Sequence, residues 1–228
     1  MKIKFTAILA ATVFASVLSA KDTDSAKRLD AASDLLTSMM KADDKGVPQD
    51  LINKAQCVIL IPGLKKAAFI VGGKYGKGFA SCRKMSGTGW SAPAAIRVEG
   101  GSVGFQIGGS EQDVLLLVMN ETGMKHLLES KFTLGAEAAA AAGPVGRNLS
   151  AQTDVQLRAE MLSYSRARGL FAGLSLGGAT LRPDDETNTE MYGHEITNKE
   201  ILTTAVKAPA SAAKLGTLLN RNSVRKAN

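Results

Sequence analysis

Aromatic residues are scarce in this sequence: seven Phe, three Tyr and one Trp make up 5% of 228 residues. A core drawn from it must be mostly aliphatic. There are only two histidines, His126 and His194, and two cysteines, Cys57 and Cys82. Neither histidine belongs to an HExxH pair, and no Cys/His cluster has zinc spacing. The Walker A loop and a strict G-x-G-x-x-G are both missing. Asp184-Asp185-Glu186 lacks the ligand spacing and glycine of an EF-hand and reads as an acidic helix start. The chain is expected to be a non-enzymatic protein without a cofactor.

Long apolar runs are missing too, apart from the beginning. Lys2 and Lys4 precede an uncharged apolar stretch, Phe5 to Leu18, which ends in the small pair Ser19-Ala20 before the polar Lys21-Asp22-Thr23-Asp24. The run falls short of the roughly 20 residues a membrane-spanning helix needs, and it has the three parts of a secretory signal peptide, cleaved near Ala20. No cysteine follows that could carry a lipid anchor. Export implies the periplasm, the cell envelope or secretion. In such an oxidising compartment Cys57 and Cys82 are expected to form a disulfide, worth roughly 3 kcal/mol for a loop of about 25 residues. Two buried free thiols are the other reading.

The third absence is of acid. The formal net charge is +7, but residues 51–98 carry eight basic side chains and no acidic one. Residues 205–228 carry five basic and none acidic, whereas 21–50 and 99–204 are net negative. Charge is therefore segregated, which suits a localised anionic contact better than diffuse attraction to polyanions. With few aromatics for stacking, nucleic acid is not the expected partner.

What is present reads as one α+β domain. Residues 24–44 have apolar positions at helical spacing (Leu29, Ala32, Leu36, Met39, Met40), with Asp24 as a candidate N-cap. A packing helix is the expected role, a membrane-surface helix the alternative. Pro48 opens a second, short helix to Ala55. Strands are expected at Cys57–Ile61, Ala67–Gly72, Tyr75–Arg83, Ser91–Val98, Ser102–Ile107 and Asp113–Met119, with turns at Pro62-Gly63 and Tyr75-Gly76. The glycine-rich Gly72-Gly73-Lys74-Tyr75-Gly76-Lys77-Gly78 joins strands rather than opening a helix, so it reads as a hairpin turn and not a phosphate loop. Glu121–Lys131 is expected to be a helix capped by Thr122. Ala136–Ala142 leans to strand, residues 154–168 fit either state, and 169–180 read as strand. Helices are expected within 184–192 and 199–207. The pattern gives a mainly antiparallel sheet, sandwich or barrel-like, with flanking helices. The expected division is a signal over 1–20, one domain over 21–204, and a basic, partly disordered tail over 205–228.

The order of motifs is specific. Val58-Ile59-Leu60-Ile61-Pro62-Gly63-Leu64-Lys65-Lys66, Val71-Gly72-Gly73-Lys74-Tyr75-Gly76-Lys77-Gly78, Gly89-Trp90-Ser91-Ala92-Pro93, Gly104-Phe105-Gln106-Ile107-Gly108-Gly109 and Asp113-Val114-Leu115-Leu116-Leu117-Val118-Met119-Asn120 follow one another. Gly143-Pro144-Val145-Gly146-Arg147, Tyr164-Ser165-Arg166 and Gly169-Leu170-Phe171-Ala172-Gly173 complete the series. The chain resembles the SYLF lipid-binding domain family, over roughly residues 25–203. The resemblance implies a binding domain rather than an enzyme. Eukaryotic members bind phosphoinositide membranes and some bind actin filaments. An exported member would meet neither, so its lipid would be another anion.

The expected contact residues come from the acid-free block. Lys65 and Lys66 follow the Pro62-Gly63 turn, Lys74 and Lys77 flank Tyr75-Gly76, and Arg83 and Lys84 end the next strand. Clustered on one edge, they would form a patch for anionic phospholipid head groups. The alternative is an envelope adaptor or structural protein binding another macromolecule.

Overall fold

The computed structural model describes residues 23–41, 46–69, 71–84, 88–103, 108–144, 159–167, 170–173 and 176–223. Helices α1 (Asp24–Lys41) and α2 (Gln49–Lys54) lead into four long strands: β1 (Cys57–Phe69), β2 (Val71–Cys82), β3 (Ala94–Val103) and β4 (Gly108–Val118). Helix α3 (Glu121–Leu127) and the short strands β5 (Phe132–Thr133) and β6 (Ala140–Ala142) follow. Then come β7 (Met161–Ala167), β8 (Leu170–Gly173), β9 (Thr180–Pro183), α4 (Asp185–Tyr192), α5 (Asn198–Thr203) and α6 (Ala213–Asn222). The strands form one open nine-stranded sheet in the order β5-β9-β3-β2-β1-β4-β7-β6, with β8 also on β7. Every pairing is antiparallel except β6 with β7. The expected α+β class with a mainly antiparallel sheet is what the chain adopts.

Strand alternation sorts side chains onto two faces. Cys57, Ile59 and Ile61 of β1, Ala80 and Cys82 of β2, Ile96 and Val98 of β3, and Val114 and Leu116 of β4 share one core with α3, α5 and β9. Val58, Leu60, Phe79, Ala95, Leu115 and Leu117 point the other way, into a second core with α1, α2 and α6. Both faces are covered, so the strands carry unbroken apolar runs. Helix α1 buries Leu29, Ala32, Leu35, Leu36 and Met39 there. The three leucines and Met39 are worth about 2 kcal/mol of burial each and Ala32 less, so the packing role holds and this apolar face is not open to a membrane. Cys57 and Cys82 are directly opposite in register and form the expected disulfide, buried in the first core.

Several local expectations fail for physical reasons. Pro62-Gly63 does not end a strand: β1 continues through it as a bulge, with its register shifting between Leu60 and Lys65 and Gly63 at a φ of 63°. A bulge is where an interior Pro and a left-handed Gly are tolerated. Tyr75-Gly76 is no turn either, because β2 runs straight through it. The glycines there serve close approach. A Cβ at Gly78 would lie 2.1 Å from the Leu60 carbonyl oxygen, and one at Gly76 would lie 2.8 Å from Leu64 Cδ1, so the bulge of β1 presses on β2 where Gly76 and Gly78 carry no side chain. Helix α3 is capped by Asn120, whose side chain accepts from the Gly123 N–H, and not by Thr122. At α1 the Ala26 N–H donates to the Thr23 hydroxyl instead of to Asp24. Residues 213–222, expected within a tail, form α6 on α1, where Lys214 pairs with Asp30 and Asp34. The signal segment 1–20 lies outside the described residues, as does the end of the Ser102–Ile107 strand.

Candidate functional site

Four strands outrun the rest of the sheet. β9 pairs with β3 only over Ile96–Glu99, and β7 pairs with β4 only over Asp113–Val118. Beyond those rungs β3, β2, β1 and β4 pair with one another alone among the described residues, as far as Val103↔Val71↔Phe69 and Ala68↔Gly108. The result is a four-stranded finger projecting roughly 13 Å, the rise of four residues from Glu99 to Val103.

The acid-free block places three lysines on this finger. Lys66 and Lys74 are directly opposed across β1 and β2, in a rung completed by Gly100 and Ser110. Like charges facing each other across strands oppose folding unless something offsets them. Among the described residues neither ammonium has a carboxylate within salt-bridge range. The Lys74 Nζ donates to the Gly177 carbonyl at 3.4 Å. Burial, and then the Lys74 charge, hold the Lys66 ammonium below its ordinary pKa. An anion beside the pair would relieve both costs of keeping it protonated.

The opposite face of the finger differs. Its rung Glu99–Tyr75–Lys65–Glu111 mixes both signs. Glu99 is paired with Arg97 and Arg182, and Asp113 with Arg166. The Asp113 carboxylate also accepts from the Gly63 N–H of the bulge. Lys65 is exposed, and Tyr75, at 48% exposure, is an exposed large apolar side chain.

The other three expected contacts are elsewhere. Lys77 sits at the finger's root and pairs with Asp184 at 2.8 Å. Burial pushes the Asp184 carboxyl up, but hydrogen bonds from Lys77 and Thr187, with the Lys77 charge, outweigh it and leave it below its ordinary value. Asp184 caps α4, so the acidic run is a helix start.

Arg83 is corrected outright: it is 6% exposed and cannot meet a head group. Its guanidinium stacks 4.1 Å from the centre of the Trp90 ring. It donates to the carbonyls of Ile52, Asn53 and Ala55 at the end of α2, and to the carbonyl and hydroxyl of Ser223 at the end of α6. One cation thus closes two helix C-termini. Lys84 is exposed, but ten residues along from Lys74 it lies about 33 Å away, at the other end of β2. The sequence block therefore resolves into a finger trio, a paired lysine, a buried structural arginine and a distant lysine. A turn at Tyr75-Gly76 hides the tyrosine, whereas its parity with Phe79 along β2 places it on a sheet face.

A helix-clad sheet with a projecting cationic end has the character of a binding domain. The family model described as "Ysc84: Las17-binding protein actin regulator" matches residues 99–222, and the chain belongs to this Ysc84/SYLF family, a family of non-enzymatic binding domains. The SH3 domain-containing protein PJ696.02 of Schizosaccharomyces pombe is 35% identical over 177 residues, 76% of this chain and 41% of its own length. The human SH3 domain-containing YSC84-like protein 1 is 34% identical over 178 residues, covering 78% of this chain and 52% of its own. Protein YSC84 of Saccharomyces cerevisiae is 32% identical over 192 residues, 81% and 41%. The chain spans about half the length of the curated relatives it matches.

Proposed function

We propose that this protein is an exported, non-catalytic lipid-binding protein that contacts anionic phospholipid surfaces peripherally through the finger lysines. The opposed Lys66–Lys74 rung carries the reading, because two adjacent cations with no carboxylate beside them among the described residues are a seat for a phosphate group. Lys65 adds to it from the other face. Each cation near an anionic surface contributes about 1 kcal/mol, falling with salt, so binding is weak and reversible. No described helix is long and apolar enough to cross a membrane, which agrees with a peripheral contact. Export rests on the signal-like residues 1–20.

Cosedimentation with phosphatidylcholine vesicles, with and without phosphatidylglycerol, across a salt series tests it. Binding should require the anionic lipid and weaken with salt, and binding indifferent to both would contradict it. The family description, which names a Las17-binding protein, favours a second reading, an adaptor that binds another protein. A protein that ignores anionic vesicles in the same series would leave that reading in place.

A further inference from the structure

The outer edge of β4 is open along the finger. Its residues Asp113–Val118 pair with β7, whereas Gly108–Gln112 pair only with β1 among the described residues. The base shows which backbone groups face that edge. The Gln56 N–H donates to the Val118 carbonyl on the β1 side, and the Met119 N–H donates to the Glu160 carbonyl on the β7 side. Successive residues of an antiparallel strand turn to opposite neighbours, so the odd-numbered positions of β4 point outward. In the finger these are Gly109 and Glu111, whose N–H and C=O groups have no strand partner there among the described residues. Gly109, Ser110 and Glu111 are exposed. The stretch has neither the proline nor the lysine that commonly guards an open edge.

The sequence of the edge fits a second copy of itself. Laid antiparallel about Ser110, Gly108-Gly109-Ser110-Glu111-Gln112 sets every long side chain opposite a glycine: Glu111 faces Gly109 of the second copy, and Gln112 faces Gly108. That register brings the outward-pointing Gly109 and Glu111 together, so their N–H and C=O groups bond in pairs, and Ser110 meets its own counterpart at a non-hydrogen-bonded position. No like charges are directly opposed. A Cβ on Gly109 would have only the Lys66 carbonyl oxygen within 4 Å, at 3.8 Å, so no other described part of the chain crowds that position. The free stretch is used to its end, because Gln112 is the last residue before the pairing with β7 begins.

Ser110 belongs to the Lys66–Lys74 rung. Pairing about Ser110 therefore sets the lysine pairs of both copies in one continuous rung, on one face of a shared sheet. The two Lys66 residues are then three strand spacings apart, about 14 Å. That exceeds the screening length of about 8 Å at physiological salt, so the pairs hardly repel each other. An edge this short buries far less than the roughly 1,000 Å² of a stable interface, so it closes only where copies are concentrated. An anionic surface that collects the protein concentrates them. Resting on the lipid reading above, we infer that the free edge of β4 is a dimerisation edge: on an anionic bilayer two copies pair β4 to β4 about Ser110 and present their lysines as one row.

The test uses the full chain with one added cysteine, since its own two are joined to each other. Ser110→Cys sets two thiols opposite one another with Cα atoms about 4.5 Å apart, within reach of a disulfide. Glu111→Cys sets them diagonally, about 8 Å apart and out of reach. Under mild oxidation Ser110→Cys should be mostly cross-linked on vesicles of phosphatidylcholine and phosphatidylglycerol and mostly monomeric with phosphatidylcholine alone, and Glu111→Cys should stay monomeric on both. Adding Glu111→Pro to Ser110→Cys removes an outward N–H where an edge strand tolerates proline, and should abolish the cross-link at an unchanged melting temperature. Equal cross-linking at 110 and 111, or none at 110 in protein that pellets with the vesicles, would overturn the pairing and leave the lipid reading standing. Failure to pellet with any anionic vesicle would overturn both. At sparse coverage the cross-linked dimer should bind these vesicles roughly tenfold or more tighter than the parent. Equal affinity would contradict the shared row of lysines.

Discussion

The base and the finger are two halves of the same four strands, and they obey different rules. In the base both faces are buried: Ile59, Phe79, Ile96 and Leu116 are almost fully inaccessible, and helices cover either side. There Lys77 is matched by Asp184, and Arg83 by carbonyl oxygens and an indole. In the finger the helices are gone, glycines replace aliphatics, and Lys66 faces Lys74. The same residue type therefore means opposite things a few rungs apart. A cation in the base stabilises the fold, whereas the finger's pair opposes folding, a cost that the proposed phosphate contact would offset.

Substitutions sharpen that contrast. The largest effect is expected from Arg83→Ala, which removes the side-chain donor to the carbonyls of Asn53, Ala55 and Ser223. A loss of about 4 kcal/mol, a fall in Tm of roughly 10 °C, should appear in thermal unfolding. Arg83→Lys should recover only part, because one ammonium cannot serve both helix ends. A variant as stable as the parent would remove Arg83 from the base.

Next comes the disulfide. Cys57→Ala with Cys82→Ala should lower stability by roughly 3 kcal/mol in denaturant unfolding, and an unchanged midpoint would mean the bond constrains nothing.

A third prediction concerns pH. The Asp184 carboxyl is depressed in the folded state, so its contribution is present above the ordinary carboxylate pKa and is lost as pH falls through the folded value. Lys77→Met should therefore be less stable than the parent at pH 7. The gap should narrow below about pH 4, as the carboxyl is protonated in both. A gap that does not change with pH would locate the effect of Lys77 in packing.

Smallest is Tyr75→Ser in the finger. Stability should move by less than about 0.5 kcal/mol, because the ring is exposed. A larger loss, measured by the same unfolding, would show the finger to be part of the core.

Much of the base is written in single stretches of sequence. Cys57–Ile61 and Asp113–Met119 announce buried strands by their apolar runs, and Leu29, Ala32 and Leu36 announce the buried side of α1. The bulge was not legible, since Pro62-Gly63 and Tyr75-Gly76 have turn chemistry. Only the pairing of β1 with β2 shows that Gly76 and Gly78 make room for the bulge. The site was half legible. A run without acid picked out the lysines, but the groups that take Lys77 and Arg83 out of contention, Asp184 and Ser223, lie far along the chain. Parity along β1 and β2 decides which remaining lysines oppose each other, and parity was hidden as long as the turns were misplaced.

The division between base and finger is tested most directly by one paired measurement on Lys66→Gln with Lys74→Gln. Affinity for phosphatidylglycerol vesicles and thermal stability are read on the same preparation, beside Lys84→Gln. Removing two surface cations worth about 1 kcal/mol each should weaken vesicle binding about thirtyfold. The melting temperature should stay the same or rise, and Lys84→Gln should leave both unchanged. Full binding by the double variant, or an equal loss from Lys84→Gln, would contradict the account.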